Sequence, residues 1–412
     1  MSIRKRKWTN AKGVEKEAWI VDYLDTKGTR RLKTFPKKKD ADQFAATAKV
    51  EVREGTHVAD SASVTVKQAG AFWIATGEAS GLERSSIDQR KRHLKLHIEP
   101  FIGATLLSRI TVPTAREFED DLRKNARSQA MVRKVLGSLS ALLSDAQERG
   151  LATRNPVRDM RGTRRRGKDR QADKRQKGKL KIGVDIPTRD EIKAVVGALA
   201  GRWRPLLITA IFTGMRSSEL RGLRWQDVDF GKGEIRVNQR ADDYGEIGRP
   251  KSEAGERTIP LPPVVINTLK EWKFACPRRA TGGHDADGNP VKELHYVFPN
   301  GSGNIESRSN IIKRGFLPAQ IAAGVAIDTG DKDEQGSPIM AAKYGGLHAL
   351  RHFYASWSIN RPRDGGLGLP PKVVQERLGH SSIVMTMDTY GHLFPRGDDA
   401  DEMAAAERSL LG

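Results

Sequence analysis

The sequence predicts a multidomain chain, mainly α with small β-sheets, and three observations carry that expectation. At 412 residues it is long enough for two or three domains. Hydrophobic spacing changes along it, from short strand-like runs at the start to helical periodicity from about Val64. Between Arg161 and Lys181 stand eleven Lys or Arg against two Asp and almost no apolar side chains. Such a run cannot bury enough surface to fold alone, so it reads as a linker. The expected divisions are 1–58, 64–160, a basic linker 161–185, 186–395 and a tail 396–412.

In the first division, Trp8, Ala18–Tyr23 and Arg30–Phe35 mark three short strands, with turn chemistry at Asp25-Thr26-Lys27-Gly28. A helix follows, with Ala41, Phe44, Ala45, Ala48 and Val52 on one face and Gly55 as its stop. The second division predicts helices over Val66–Ile74, Ser85–His97, Pro113–Lys124 and Ala130–Arg149, the last ended by Gly150 and then Asn155-Pro156. Its second helix gathers Arg84, Arg90, Lys91, Arg92 and Lys95 among few acids. A solvated face would mix signs, so a phosphate-facing surface is expected there. The linker, with Arg164, Arg165 and Arg166, suits contact with a polyanion, and a plain tether would read the same way.

Thr188-Arg189-Asp190-Glu191 forms a capping box that opens the fourth division. A buried helix over Pro205–Thr213, a turn at Gly214, strands around Glu234–Val237 and Arg257–Leu261, and a helix over Val264–Lys273 follow. Stretches 276–305 and 328–345, rich in Gly, Asp and Ser, read as loops or insertions. The tail is acidic, then helical, with Met403, Ala406 and Leu410 on one face.

A net charge of +21 and a pI near 10.0 point to a polyanionic partner. One cysteine, Cys276, excludes an intramolecular disulfide and any CxxC site. The basic start leads into no apolar run, and the most apolar window, Leu206–Met215, is too short to span a bilayer. A cytoplasmic protein is expected. No HExxH or GxxxxGK[ST] occurs, which removes zinc hydrolases and P-loop NTPases and leaves no metal or other cofactor expected.

The chemistry concentrates in LHALRHFYAS and ERLGHSSIVMTMDTYGHLF. There His348 and Arg351 share a helix face, and His380 and Tyr390 follow. Upstream stand Arg216 in TGMRSSEL, with Glu219 three residues later, and Lys251 in RPKSEAGERTIPL. Cations, imidazoles and a phenol suit attack on a phosphodiester without a metal: the phenol is the nucleophile and the cations hold the phosphate charge. A phenol of pKa about 10 needs help at neutral pH, and neighbouring cations are expected to lower the cost of the phenolate.

The order Arg216, Lys251, His348, Arg351, His380, Tyr390 and the wording around them resemble the tyrosine recombinases (phage integrase family). The resemblance covers most of the chain and is strongest from about Ile186 to Pro395. It implies an N-terminal arm-type DNA-binding domain, a helical core-binding domain and a mixed α+β catalytic domain. It also implies strand cleavage by Tyr390 through a 3′-phosphotyrosyl bond, and exchange through a Holliday junction. Arg216 and Arg351 would then bind non-bridging oxygens, Lys251 protonate the leaving 5′-oxygen, His348 accept or share the tyrosyl proton and His380 bond a phosphate oxygen. Glu219 would orient a neighbouring Arg or His, with His352 and His392 in support; Arg249 and Arg257 compete with Lys251.

The implied partners are double-stranded attachment-site DNA, a homotetramer held through the C-terminal helix, and accessory bending or excision proteins. The implied setting is bacterial and nucleoid-associated. A non-catalytic DNA-binding regulator and a type IB-like topoisomerase remain as alternatives.

Overall fold

The computed structural model describes residues 1–9, 15–55, 57–163, 179–250, 252–395 and 400–411. It forms two compact units, Met1–Gln176 and Lys177–Gly412.

The first unit begins with an antiparallel sheet, β1 (Ser2–Thr9), β2 (Glu15–Leu24) and β3 (Arg30–Phe35), in the order β1-β2-β3. Asp25 shapes the β2–β3 turn: its Oδ1 accepts from the backbone of Lys27 and Thr29, both at 2.9 Å. Helix α1 (Lys38–Arg53) covers one sheet face, placing Ala41 and Ala45 against Val21 and Tyr23. The register pairs Arg4 with Ile20 and Ile20 with Thr34, so Arg4, Arg6 and Lys16 fall on the face opposite Val21.

Helices α2 (Val66–Ala79), α3 (Arg84–His93), α4 (Glu99–Ile102), α5 (Val112–Lys124), α6 (Gln129–Glu148) and α7 (Pro156–Thr163) complete this unit. On α6, Val132, Val135, Leu136, Leu139, Leu142, Leu143 and Ala146 form a buried stripe. Burial of each large aliphatic there stabilises by about 1.5–3 kcal/mol.

Two outcomes differ from the expectation. The helix expected to run through His97 gives way at Leu94–Ile98 to a π-turn before α4. Pro100 lacks the N–H of a regular turn and its ring crowds the carbonyl four residues back, and the wider turn accommodates both. The Asn155-Pro156 pair, expected only to end a helix, also starts α7. Asn155 Oδ1 accepts from the Arg158 backbone at 3.3 Å, and proline needs no N–H at a first helical position.

The second unit packs α8 (Arg189–Ala198), α9 (Trp203–Thr213) and α10 (Ser217–Gly222) with the antiparallel sheet β4 (Val228–Asp229), β5 (Glu234–Val237) and β8 (Arg257–Pro260). The small pair β6 (Arg240–Ala241) and β7 (Ile247–Gly248) lies between β5 and β8 in sequence, and α11 (Pro263–Ala275) follows. The capping box forms: the Thr188 side chain accepts from the Glu191 backbone and Glu191 reaches back. Helix α9 is buried along nearly its whole length, which explains its continuous apolar sequence.

Stretches 276–305 and 328–345, expected as loops, contain hairpins: β9 (Arg279–His284) with β10 (Pro290–Glu293), and β11 (Ala326–Lys332) with β12 (Pro338–Ala342). Asp285 and Asp333 each gather two backbone N–H groups around a turn closed by Gly288 or Gly336. The Gly/Asp composition therefore marked turns and concealed the short strands beside them. Between the hairpins lies α12 (Leu317–Ala322). After the second come α13 (His348–Ile359), α14 (Pro371–Leu378), α15 (Ile383–Tyr390) and the tail helix α16 (Ala400–Leu411). On α16, Met403 and Leu410 are exposed. Among the described residues, no helix is long and apolar enough to cross a membrane.

Candidate active site

Three arginines meet at the C-terminal end of α14. The carbonyls of Arg377, Leu378 and Gly379 accept, in turn, from Arg257 Nε at 2.7 Å, Arg351 Nη2 at 2.5 Å and Arg216 Nη2 at 3.0 Å. The last carbonyls of a helix have no partner within it and carry the negative end of its dipole, so they attract cations. Gly379, at φ +64°, ends α14 in the left-handed conformation glycine adopts at low cost.

Each arginine reaches this point from a different element. Gly214, also left-handed, ends α9 and turns the chain so that Arg216 becomes the first, extended residue before α10. Glu219 folds back: its carboxylate accepts from the Arg216 backbone N–H and from Arg216 Nη1, both at 2.8 Å. The same carboxylate accepts from Arg257 Nη1 and Nη2 at 3.1 and 2.8 Å, Arg257 opening β8. Arg351, on α13, also donates to the Gly214 carbonyl at 2.8 Å.

His380 follows Gly379, and its Nδ1 lies 2.9 Å from Thr386 Oγ1. Tyr390 ends α15, with its hydroxyl 2.8 Å from His352 Nδ1 and its ring parallel to that of His380, centroids 6.3 Å apart. His348 stands one turn before His352, their rings edge-on at 4.6 Å. Arg216, Ser217, Ser218, Arg308, His348 and Arg351 line one hollow.

The profile described as "Phage integrase family" matches residues 188–396, more than half of the chain. The chain belongs to the phage integrase family. It is a tyrosine site-specific recombinase, an enzyme that breaks and rejoins DNA strands. It is 28% identical over 294 residues to a tyrosine recombinase XerC-like protein of Caldanaerobacter subterraneus subsp. tengcongensis, covering 68% of this chain and 67% of that one. It is 23% identical to the ICEBs1 integrase of Bacillus subtilis, over 92% of this chain and 93% of that one. Its fold is similar to the Tn1549 transposon integrase solved with transposon right end DNA: TM-score 0.57, 19% identity, 85% of this chain and 100% of that one. A lambda integrase tetramer bound to a Holliday junction aligns at a TM-score of 0.51 and 16% identity, over 91% and 95%.

The electrostatics of this recombinase describe a withdrawn Tyr390 phenol. Tyr390 is 1% exposed, packed among Tyr354, Val374 and Leu378. Burial pushes its phenol up to about 12, against the pull of Arg351 and Arg216. The sequence suggests that neighbouring cations ease ionisation; in this arrangement desolvation outweighs them. Burial, with His348 and Arg351, takes His352 down to about 4. Burial, with Arg351 and Arg216, does the same to His380. Both imidazoles are therefore neutral at pH 7. Arg351 falls to about 9, through burial and then Arg216, and stays charged at pH 7. Burial alone would raise the Glu219 carboxyl, but Arg257 and then Arg216 hold it at about 2.

Of the residues singled out in the sequence, Arg216, Glu219, His348, Arg351, His380 and Tyr390 come together here. Lys251 lies outside the described residues, as do Arg164, Arg165 and Arg166. Arg257, weighed as a substitute for Lys251, has a side chain 6% exposed and is committed to Glu219, whereas Arg249 is exposed. On α3 and the turn after it, Arg84, Lys91, Arg92 and Lys95 are exposed. Arg90 instead folds over Trp73, its Cζ 4.5 Å from the ring, and Nη1 donates to the Trp73 carbonyl at 2.9 Å.

Sequence reasoning passed over Thr386 and gave His352 only a supporting part. Their signal was spacing: Thr386 and Tyr390 are four apart on α15, as His348 and His352 are on α13. Among the described residues, no group of three or more His, Cys, Asp or Glu is placed to hold a metal ion.

Proposed function

We propose that this recombinase is the integrase of a phage or other integrative element, acting on double-stranded attachment sites. The observation that carries this reading is the convergence of Arg216, His348 and Arg351 on one hollow, with His380 and Tyr390 buried behind it. A phosphate in that hollow would meet the exposed face of Arg216, whose planar fork matches its oxygens, with the charge of the buried Arg351 behind it. Tyr390 attacks the phosphorus, the phosphorus–O5′ bond breaks, and a 3′-phosphotyrosyl link forms. Lys251 supplies the proton to the leaving 5′-oxygen. A partner strand's 5′-hydroxyl then reverses the step, so the link conserves the bond and needs neither ATP nor water.

His348, at the edge of the hollow, takes up the tyrosyl proton. His380, neutral and anchored by Thr386, bonds a phosphate oxygen through its free nitrogen. Glu219 holds Arg216 in place. Because Tyr390 is buried in the DNA-free chain, binding has to shift α15 before attack.

The division into an arm-type domain (1–58), a core-binding domain (64–160), a basic linker (161–185), a catalytic domain (186–395) and a tail (396–412) belongs to the same proposal. The open sheet face with Arg4, Arg6 and Lys16 suits arm-site DNA. Arg84, Lys91, Arg92 and Lys95, with Arg164, Arg165 and Arg166 of the linker, suit core-site phosphates. Four protomers joined through α16 exchange strands, with accessory proteins bending the DNA, on the bacterial nucleoid.

The test is trapping. The protein is incubated with DNA from its own genomic neighbourhood and denatured, and the covalently held DNA is sequenced beside a Tyr390→Phe control. A 3′-linked adduct at one short site, absent in the control, is expected. No adduct, or one that survives the substitution, overturns the assignment.

A further inference from the structure

We infer that Arg257 is a positioning residue for strand cleavage: it acts through Glu219 on Arg216 and ties the turn after position 251 to the end of α14. The inference rests on the catalytic reading above and adds a member to it.

Arg257 spends four of its five N–H groups inside the protein, and its side chain is enclosed. Nε donates to the Arg377 carbonyl at 2.7 Å, Nη1 to Gly255 at 3.0 Å and to Glu219 at 3.1 Å, and Nη2 to Glu219 at 2.8 Å. Its side chain is 6% exposed and that of Glu219 is 2% exposed, so neither pairs through water. Arg216, at 36%, keeps a face to the hollow. The three side chains therefore form a relay in which Arg257 is fully enclosed, Glu219 is the joint and Arg216 is the outward end.

The geometry requires arginine. One planar group has to meet two carboxylate oxygens on one edge and a helix-end carbonyl on the other, which a single ammonium point cannot do. Its contacts also fix relative position. Gly255 closes the turn Glu253–Gly255, which begins two residues after position 251. Arg377 lies three residues before His380. One side chain thus holds the general-acid turn, the Arg216 joint and the His380 segment in register. Without it, the Glu219 carboxylate stays buried with one cation instead of two, and it takes up a proton at a higher pH than in the wild type.

The test uses full-length protein with Arg257→Lys, Arg257→Gln, Glu219→Gln and Arg216→Ala, measuring adduct formation on a nicked duplex that traps the covalent link. Alongside runs hydrogen exchange of the amides at 216–220 in DNA-free protein. Arg257→Gln is expected to slow adduct formation about a hundredfold, the scale of a broken buried pair. It is also expected to add an acid limb, with activity falling towards acid pH where wild type stays level. Arg257→Lys restores the charge but not the fork, so it is slow without the acid limb.

Combined with Arg216→Ala, either change at 257 adds less than about twofold, because residues acting through one another are not additive. Arg257→Lys also speeds exchange of the Arg216 amide, which Glu219 holds. A level pH profile in Arg257→Gln, full multiplicative loss with Arg216→Ala, or unchanged exchange at 216–220 in Arg257→Lys overturns the inference. If Arg257→Gln does not fold, exchange and additivity in Arg257→Lys decide it. If wild type forms no adduct at all, the catalytic reading fails, and the exchange result still decides whether Arg257 positions Arg216.

Discussion

Replacing Glu219 with glutamine tests how strongly the buried joint depends on charge. The carboxyl is held at about 2 against an ordinary 4.5. Holding it there corresponds to about 3 kcal/mol of stabilisation, at about 1.36 kcal/mol for each tenfold change in acidity. Because the folded-state pKa is depressed, the contribution is fully present above the unfolded value of about 4.5. It is lost as pH falls through about 2. Between pH 7 and pH 3 wild type should therefore lose about 2 kcal/mol that Glu219→Gln never had. Glutamine keeps the shape but leaves Arg216 and Arg257 without their anion, so the variant should be weaker by about 3 kcal/mol at pH 7 and by only about 1 at pH 3. Urea unfolding of the second unit, followed by exchange protection of peptides from α9 and α10, measures both differences. A wild-type-to-variant gap that is the same at pH 3 as at pH 7 would refute the reasoning, since the loss would then come from packing.

Tyr390→Phe should abolish the covalent adduct while changing stability by no more than about 1 kcal/mol, the scale of one hydrogen bond, seen in parallel trapping and melting experiments. Thr386→Val keeps the shape of a fully buried side chain but strips His380 of its partner, at a cost of about 1–3 kcal/mol. NMR of the His380 ring should show the changed Nδ1 environment. At Gly379, a Cβ would sit 2.9 Å from both the Ala254 carbonyl and Arg257 Nη1, in a left-handed conformation that costs about 1 kcal/mol by itself. Gly379→Ala should therefore lower both the melting temperature and the rate of adduct formation. DNA affinity should fall by about 10³ or more between 50 and 200 mM salt if six or more phosphates are contacted, as a titration across that range will read.

Most of the side chains that meet in the candidate site were legible in the sequence. Arg216, His348, Arg351, His380 and Tyr390 sit in short motifs whose residue types suit phosphate chemistry. The capping box at Thr188, the stripe on α6 and the turn at Asp25 formed as local rules require, because caps, periodicity and turns depend on neighbours within a few residues. Two stretches taken for loops became hairpins, and a Pro-containing stop became a start, because composition marks turns without fixing what flanks them.

The sequence by itself determined the fold class, the family and most of the side chains that meet in the candidate site. Only the tertiary structure decided how those groups are held. The meeting of Arg216, Arg257 and Arg351 on three successive carbonyls at the C-terminal end of α14 joins positions 163, 120 and 27 residues apart from their acceptors, and no local pattern encodes such contacts. The same holds for Arg257, which in the sequence is one basic residue among 72 Lys and Arg and in the fold is the buried partner of Glu219. The state of Tyr390 was likewise decided by packing. Its cationic neighbours predicted an easier phenolate, but burial among Tyr354, Val374 and Leu378 removes the water that would solvate the charge, and desolvation is the larger effect.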